Sequence, residues 1–342
     1  MPSQIFLLNE HKLRKGDIIL LKFDNEKSEF IRRISNSEFS HAMLYVGGYS
    51  LIDADGPGVH AHNLQRLLIP KEDDALVLRP TNATADQLWK VEQFVRAKVG
   101  TEYSMEEARK VVRNGEFVPE DNRQFCTRLV AKAYEFAGFQ IVERPDYCSP
   151  KDIETSNELS IVEGVTRFAN EKEIDYANET DTPLQKQEEV TSKVLEDVRS
   201  LTGEDIQTFE QLDEYLIKHP EHDNEVSRIV TDTGYLNLWE IDIEKNPWHY
   251  DIKEFVNHYP EIQHVHTAKW LVNICKELYF RFETMRQYYE EQSSSNNISY
   301  FSKMLELYKK LLELNNKRME VAIDVLIEAG LDKEEIMGAA QN

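Results

Sequence analysis

The chain has 342 residues and a formal net charge of −22, with 40 Lys+Arg against 62 Asp+Glu. That deficit of positive charge excludes a phosphate-neutralising nucleic-acid binder and disfavours docking on an anionic membrane. At 41% hydrophobic and 10% aromatic the composition is globular. The length suggests two domains, and no apolar run reaches transmembrane length.

The opening, MPSQIFLLNEHKLRKGD, has no basic residue before its short apolar patch. No secretory signal is expected there, and a cytoplasmic location is the default expectation. DIILLKF (17–23) and HAMLYVGG (41–48) are short apolar runs closed by charge or glycine, which predicts strands. YSLIDAD (49–55) is expected to pair with HAMLYVGG across Gly47-Gly48 as a hairpin. ALVLRP (75–80) predicts a further strand ended by proline. ATADQLWKVEQFVRAKVG (83–100) reads as a helix capped by Thr84 or Asp86, with Leu88, Val91, Phe94, Val95 and Val99 as its apolar stripe. RQFCTRLVAKAYEFAG (123–138) reads as a second helix, with Leu129, Val130, Ala133, Tyr134 and Ala137 on one face and Gly138 as C-cap.

Charge then shifts. Residues 1–160 carry a net of −4, and residues 161–342 carry −18. The polar text from about 156 to 195 is expected to be an acidic linker (159–197) between a first domain (1–158) and a helical domain (198–342). In that last part, residues 266–292 carry Trp270, Leu271, Ile274, Leu278 and Phe282 at helical spacing. Residues 298–330 form a longer amphipathic pattern stopped by Gly330. Two such helices with a short polar connection predict an antiparallel pair. Its expected roles are partner binding, homodimerisation or a lid. H-P-E-H (219–222) and H-V-H (264–266) do not match the spacing of a known metal shell, so no metal and no cofactor are expected.

The chemistry-bearing residues lie in the first part. Cys126 falls at or near the first turn of the 123–138 helix, where unpaired N–H groups and the positive dipole end favour a thiolate nucleophile. A lone cysteine is more often a small buried hydrophobe. A thiolate needs an imidazole, however, and the imidazole needs a polar group to fix its tautomer. His41 begins one strand of the hairpin, and Asp53 lies on the other at nearly mirror positions about Gly47-Gly48. The one-residue difference is one that a bulge absorbs. His11, His60 and His62 sit in loop-like text. Cys148 and Cys275 are widely separated from Cys126, so no disulfide framework is expected.

The order G-D-I-I, S-H-A-M-L-Y-V-G-G, an acidic strand followed by G-P-G-V, G-T-E-Y, F-C-T-R-L-V-A-K-A-Y-E-F-A-G and S-P-K-D-I resembles the YiiX/YebB-like branch of the NlpC-type papain-fold cysteine hydrolases. In the commoner NlpC order the cysteine helix comes first. Here His41 precedes Cys126, the mark of the circularly permuted branch, which also includes lecithin:retinol acyltransferase-like proteins. The resemblance covers residues 13–158. It implies an α+β fold, a small antiparallel sheet or barrel packed on helices, ahead of the mainly helical C-terminal domain. It makes Cys126 the nucleophile and His41 the general base. Asp53 stands where the family places its third polar residue, often Glu or His. Tyr103 of G-T-E-Y matches a tyrosine that borders the site and can help the oxyanion hole. Ser40 beside His41, and Gly56 and Gly58 of the G-P-G turn, are further substrate-site candidates. Asp17 is expected to be structural. The implied activity is hydrolysis of an amide in a peptide, isopeptide or lipid amide. The alternatives are acyl transfer or thioester cleavage by the same site, or a binding protein that keeps the fold without the chemistry.

Overall fold

The computed structural model describes residues 4–111, 122–333 and 336. The chain divides into two compact units. One comprises Met1–Leu184 and Gly203–Leu212, and the other Gln185–Thr202 and Asp213–Asn342.

The first unit contains strands β1 (Phe6–Leu8), β2 (Ile18–Leu21), β3 (His41–Gly47), β4 (Ser50–Asp55), β5 (Gly58–Asn63), β6 (Ala75–Pro80), β7 (Leu159–Ile161) and β8 (Thr166–Phe168). Its helices are α1 (Glu26–Ser35), α2 (Ala85–Ala97), α3 (Met105–Lys110), α4 (Cys126–Phe136), α5 (Pro150–Glu154) and α6 (Glu171–Ala177). Six strands form one antiparallel sheet in the order β5-β4-β3-β2-β6-β7, while β1 and β8 pair separately.

The central strand β2 reads IILL and is buried along its whole length. Its side chains alternate between two faces, as any strand's must. Ile18 and Leu20 join Ala42, Leu44, Ile52 and Leu78 against α2 and α4. Ile19 and Leu21 join Met43, Leu51 and Val77 in a second apolar layer. Both faces of the sheet are therefore covered, which explains why this strand carries no polar residue.

The helix α4 packs by the stripe read from sequence: Leu129, Val130, Ala133 and Tyr134 are all fully buried. Burying side chains the size of Leu129 and Val130 stabilises by about 1.5–3 kcal/mol each. The Tyr134 hydroxyl donates to the Gly16 carbonyl, tying α4 to the turn before β2. Thr84 caps α2, in a reciprocal capping box with Gln87. Asp17 is fully buried and accepts from Arg79 Nε and Nη2 at 2.7 and 2.6 Å. It serves the fold, as expected.

Two stretches differ from the sequence reading. Residues 58–63, read as loop, form β5, an edge strand returned by the tight Gly56-Pro57 turn. Residues 159–197, read as linker, hold β7, β8, α6 and most of α7 (Pro183–Thr202). In α7, Val190, Val194, Leu195 and Val198 are buried. Their 3–4-residue spacing is helical, but glutamate, lysine and glutamine surround them and conceal it.

The remaining helices are α8 (Phe209–Lys218), α9 (Asp223–Asp232), α10 (Leu238–Lys245), α11 (Ile252–His258), α12 (His264–Ser295) and α13 (Ser299–Glu328). α12 and α13 are an antiparallel pair: Asn315 donates to the Cys275 carbonyl, Phe282 meets Tyr308, and Ser293 meets Ser302. As numbers rise along one helix they fall along the other. The buried residues of α12 are Ala268, Leu271, Val272, Cys275 and Tyr289. Of the expected stripe, Leu271 is buried and Trp270, Ile274, Leu278 and Phe282 are half-buried. No helix among the described residues is long and apolar enough to cross a membrane.

Candidate active site

The hairpin of β3 and β4 carries the first two groups. Leu44 pairs with Ile52 and Tyr45 with Leu51, after which the register shifts before Gly47 pairs with Ser50. This irregularity does not bring Asp53 opposite His41. It shifts the register the other way, to an offset of two residues, and so leaves the two side chains on the same face. Continuing the Leu44–Ile52 register sets Asp55 opposite His41, so Asp53 reaches His41 diagonally, within the span that long side chains bridge. His41 Nε2 and Asp53 Oδ2 form a short hydrogen bond. The side chain of His41 is 12% exposed and that of Asp53 2%.

β5 adds two histidines that the sequence reading left in a loop. Asp53 pairs with His60 and Leu51 with His62. Because paired residues point to the same side, both imidazoles face the carboxylate. His62 Nε2 lies 2.8 Å from Asp53 Oδ1 and His60 Nε2 lies 3.9 Å from it. The two histidine rings are 4.3 Å apart. The available signal was the alternation in V-H-A-H-N after a Gly-Pro-Gly turn, which puts residues 60 and 62 on one strand face.

These neighbours set the charges. Burial alone would raise the Asp53 carboxyl, but His41 and His62 overcome it and hold Asp53 well below the usual carboxylate range. Burial alone would lower His41. The charges of Cys126 and Asp53, with hydrogen bonds to both, raise it well above the ordinary imidazole value. His62 is likewise raised, with burial opposed mainly by its bond to Asp53.

Cys126 is the first residue of α4, preceded by Phe125 in extended conformation with no side-chain cap. Cys126 is 8% exposed as a residue, and its thiol interacts with the His41 imidazole by charge and hydrogen bonding. Nε2 of His41 is bonded to Asp53, which leaves Nδ1 as the other ring nitrogen. The other two thiols differ. Cys148 is driven up by burial and its Sγ donates to the Thr127 carbonyl at 3.3 Å, and burial pushes Cys275 up to about 11.

A buried charge network that the sequence did not reveal fixes the start of α4. Arg128, 2% exposed, meets Glu107 Oε2 at 2.6 Å and donates to the carbonyls of Asp146 and Arg123 at 2.9 and 3.2 Å. Its guanidinium lies over the rings of Phe125 and Tyr147, 4.8 and 5.0 Å from their centres. Glu107 also accepts from Lys110 Nζ and the Tyr147 hydroxyl, both at 2.6 Å. Burial, which would raise Glu107, is outweighed by these three donors, and its carboxyl falls to about 2.

A small cavity opens beside Cys126. Its walls include Ile31 and Ile34 of α1, Ser40, Tyr103, Phe125 and Pro150. The expected site residues Ser40 and Tyr103 thus reach the same space as Cys126. The Ser40 hydroxyl is held by Ser28 Oγ at 2.6 Å. Burial first, then the charge of Cys126, raises the Tyr103 phenol far above its ordinary value, so it stays an O–H donor. Gly56 and Gly58 do not line this cavity. Gly58 has φ +130° and sits where a Cβ would lie 2.4 Å from the Thr101 carbonyl oxygen. Its contribution is close packing of β5 against residue 101. In the second unit, the histidines of H-P-E-H and His264 meet local partners: His222 the Tyr215 hydroxyl at 2.6 Å, His219 Glu221 at 3.1 Å, and His264 the Tyr259 carbonyl at 2.8 Å.

Residues 12–157 match the sequence model of a family described as permuted papain-like amidase enzymes, YaeF/YiiX, C92 family. Among solved structures the chain is similar to the metalloprotein yiiX from Escherichia coli O157:H7. That similarity has 19% identity, covers 44% of this chain and 97% of that one, and has a TM-score of 0.37. No curated protein matches the chain. The matched stretch, 12–157, contains Cys126, His41 and Asp53, and it is similar to the permuted papain-like amidases over that part of the chain.

Proposed function

We propose that the protein cleaves an amide through a covalent acyl-enzyme on Cys126, with His41 as base and acid and Asp53 as the group that orients His41. The observation that carries this reading is one imidazole joined to Asp53 through Nε2 and interacting with a thiol at a helix start. The Cys126 sulfur attacks the carbonyl carbon, and the carbonyl oxygen takes up negative charge. Its stabilising donors are the Cys126 backbone N–H and the Tyr103 hydroxyl. His41 hands its proton to the leaving nitrogen as the C–N bond breaks. A water, deprotonated by His41, then attacks the thioester, and the acid leaves as sulfur is released.

The apolar lining by Ile31, Ile34, Phe125 and Pro150 favours an apolar group beside the scissile carbonyl. Among the peptide, isopeptide and lipid amide classes, a lipid amide fits best. The same lining supports a second reading, transfer of the acyl group to an acceptor other than water, since the chemistry is shared up to the acyl-enzyme.

A carbonyl-directed thiol probe followed by mass spectrometry tests the reading. Adduct is expected on Cys126 well ahead of Cys148 and Cys275. Equal labelling of the three cysteines overturns it. Incubation with N-acyl amides, with water or an added amine as acceptor, separates hydrolysis from transfer.

A further inference from the structure

Beyond the hydrolase reading, the edge of the sheet gathers donors of another kind. Asp53, His60 and His62 each bring one ligand atom to a group whose members all lie within 4.8 Å of one another. Asp53 and His60 are buried, with side chains 2% and 6% exposed, whereas His62 is 35% exposed and opens the group to solvent. The strands fix this convergence. The Asp53–His60 register sets the first two donors side by side, and the two-residue repeat of β5 puts His62 on the same face.

The separations suit a small dication. A tetrahedral zinc ion with N and O ligands at about 2.0–2.1 Å holds neighbouring donor atoms roughly 3.3 Å apart. The observed 2.8 Å (Asp53 to His62) and 3.9 Å (Asp53 to His60) bracket that figure, and the remaining separation, His60 to His62, lies within 4.8 Å, so side-chain adjustment without backbone rearrangement draws the donors together. The support around His60 is of the kind that metal-ligating histidines have. Its Nδ1 is 3.2 Å from the Gly58 carbonyl, which fixes the ring with Nε2 turned towards Asp53. Asp55 Oδ1, buried and without a hydrogen-bond partner among the described residues, lies 3.8 Å from the same Nδ1 and adds negative charge behind the ring.

We propose that Asp53, His60 and His62 form a binding site for a divalent cation of the zinc class. Two imidazoles and a carboxylate match the ligand preference of zinc and its neighbours rather than calcium or magnesium, which take oxygen shells. Binding displaces the proton shared by His62 and Asp53 to solvent and leaves a coordination position open towards the exposed side of His62. Asp53 Oδ2 remains on His41. If the hydrolase reading holds, the cation drains carboxylate charge from His41 and slows turnover, so this last consequence rests on that reading while the binding itself does not.

Zinc affinity of the full chain, measured by competition with a chromophoric chelator, tests the site, with cobalt(II) absorption as a second readout. One equivalent is expected to bind. The affinity should fall at least about tenfold in His62→Gln and in His60→Gln and should be retained in Cys126→Ser. The cobalt form should show d–d bands without a thiolate charge-transfer band. His62 is partly exposed at the end of an edge strand, so His62→Gln carries the test even where His60→Gln, altering a buried ring, fails to fold. Absence of binding, unchanged affinity in His62→Gln, or loss of binding in Cys126→Ser overturns the proposal, the last by assigning the ion to the Cys126–His41 pair.

Discussion

Two partly buried histidines, one in each unit, are driven in opposite directions. Burial lowers both. At His41 the neighbouring Asp53 and Cys126 reverse that and raise it. At His249 the Arg318 guanidinium adds to burial, Asp242 opposes it only in part, and the imidazole falls to about 3. Arg318 is itself fixed by Asp242 Oδ2 at 2.6 Å and the Tyr250 hydroxyl at 2.5 Å. The depth of a histidine therefore says little about its protonation. The sign of the nearest fixed charge decides it, and only the first arrangement favours a protonated imidazole near neutrality.

The comparison breaks first at the thiol. Cys126→Ala should abolish turnover, by a factor of about 10⁴ or more, with little change in thermal unfolding. Retained turnover in an amide-hydrolysis assay would show that the charge pattern around His41 is not used for chemistry.

Asp53→Asn comes next. It should cut kcat about 10²–10⁴-fold. In metal-free protein, the His41 ring resonance in NMR should titrate at lower pH than in wild type, because the carboxylate that favours the protonated ring is gone. A titration that stays in place would assign the shift to Cys126 instead.

Glu107→Gln sharpens the structural side. Removing one partner of a buried ion pair costs about 3–5 kcal/mol, read by urea unfolding at neutral pH. Glu107 is depressed in the folded state to about 2. Its stabilisation is thus present above the unfolded carboxylate value, about 4.3, and lost as pH falls towards 2. The gap between wild type and Glu107→Gln should narrow over that window and stay constant above it.

The smallest effect belongs to His249. An imidazole lowered in the folded state binds its proton only after unfolding, so stability declines as pH falls from about 6.5 to about 3. His249→Phe should flatten that decline in a pH series of unfolding curves. Arg318→Met should instead move the His249 titration to higher pH.

Much of the first unit was legible. Hairpin symmetry placed His41 and Asp53 within reach of each other but not in the observed register, where Asp53 lies diagonal to His41, and the helix start at Cys126 was legible from the apolar stripe that follows it. His60 and His62 escaped because β5 is half polar and its turn reads equally well as a loop. The Arg128–Glu107 pair escaped for a different reason. Two charges 21 residues apart carry no local pattern, and charged residues are rarely this buried. In α7 the apolar spacing is present but diluted by polar neighbours. The helix pair α12–α13 was legible in outline, while the residue-by-residue choice of buried face depended on what packed against it.

The close approach of Gly58 to Thr101 also constrains which sequences can encode this site. With φ +130° and a backbone carbonyl oxygen 2.4 Å from where a Cβ would stand, any other amino acid at this position is strained and forces the backbone to move. Gly56, two residues earlier, has nothing within 4 Å of its virtual Cβ and accepts substitution freely. In a saturation library screened for folded protein, codon 58 should remain glycine and codon 56 should diversify. The strand that presents His60 and His62 is thus anchored by the residue of its turn at which a side chain costs most.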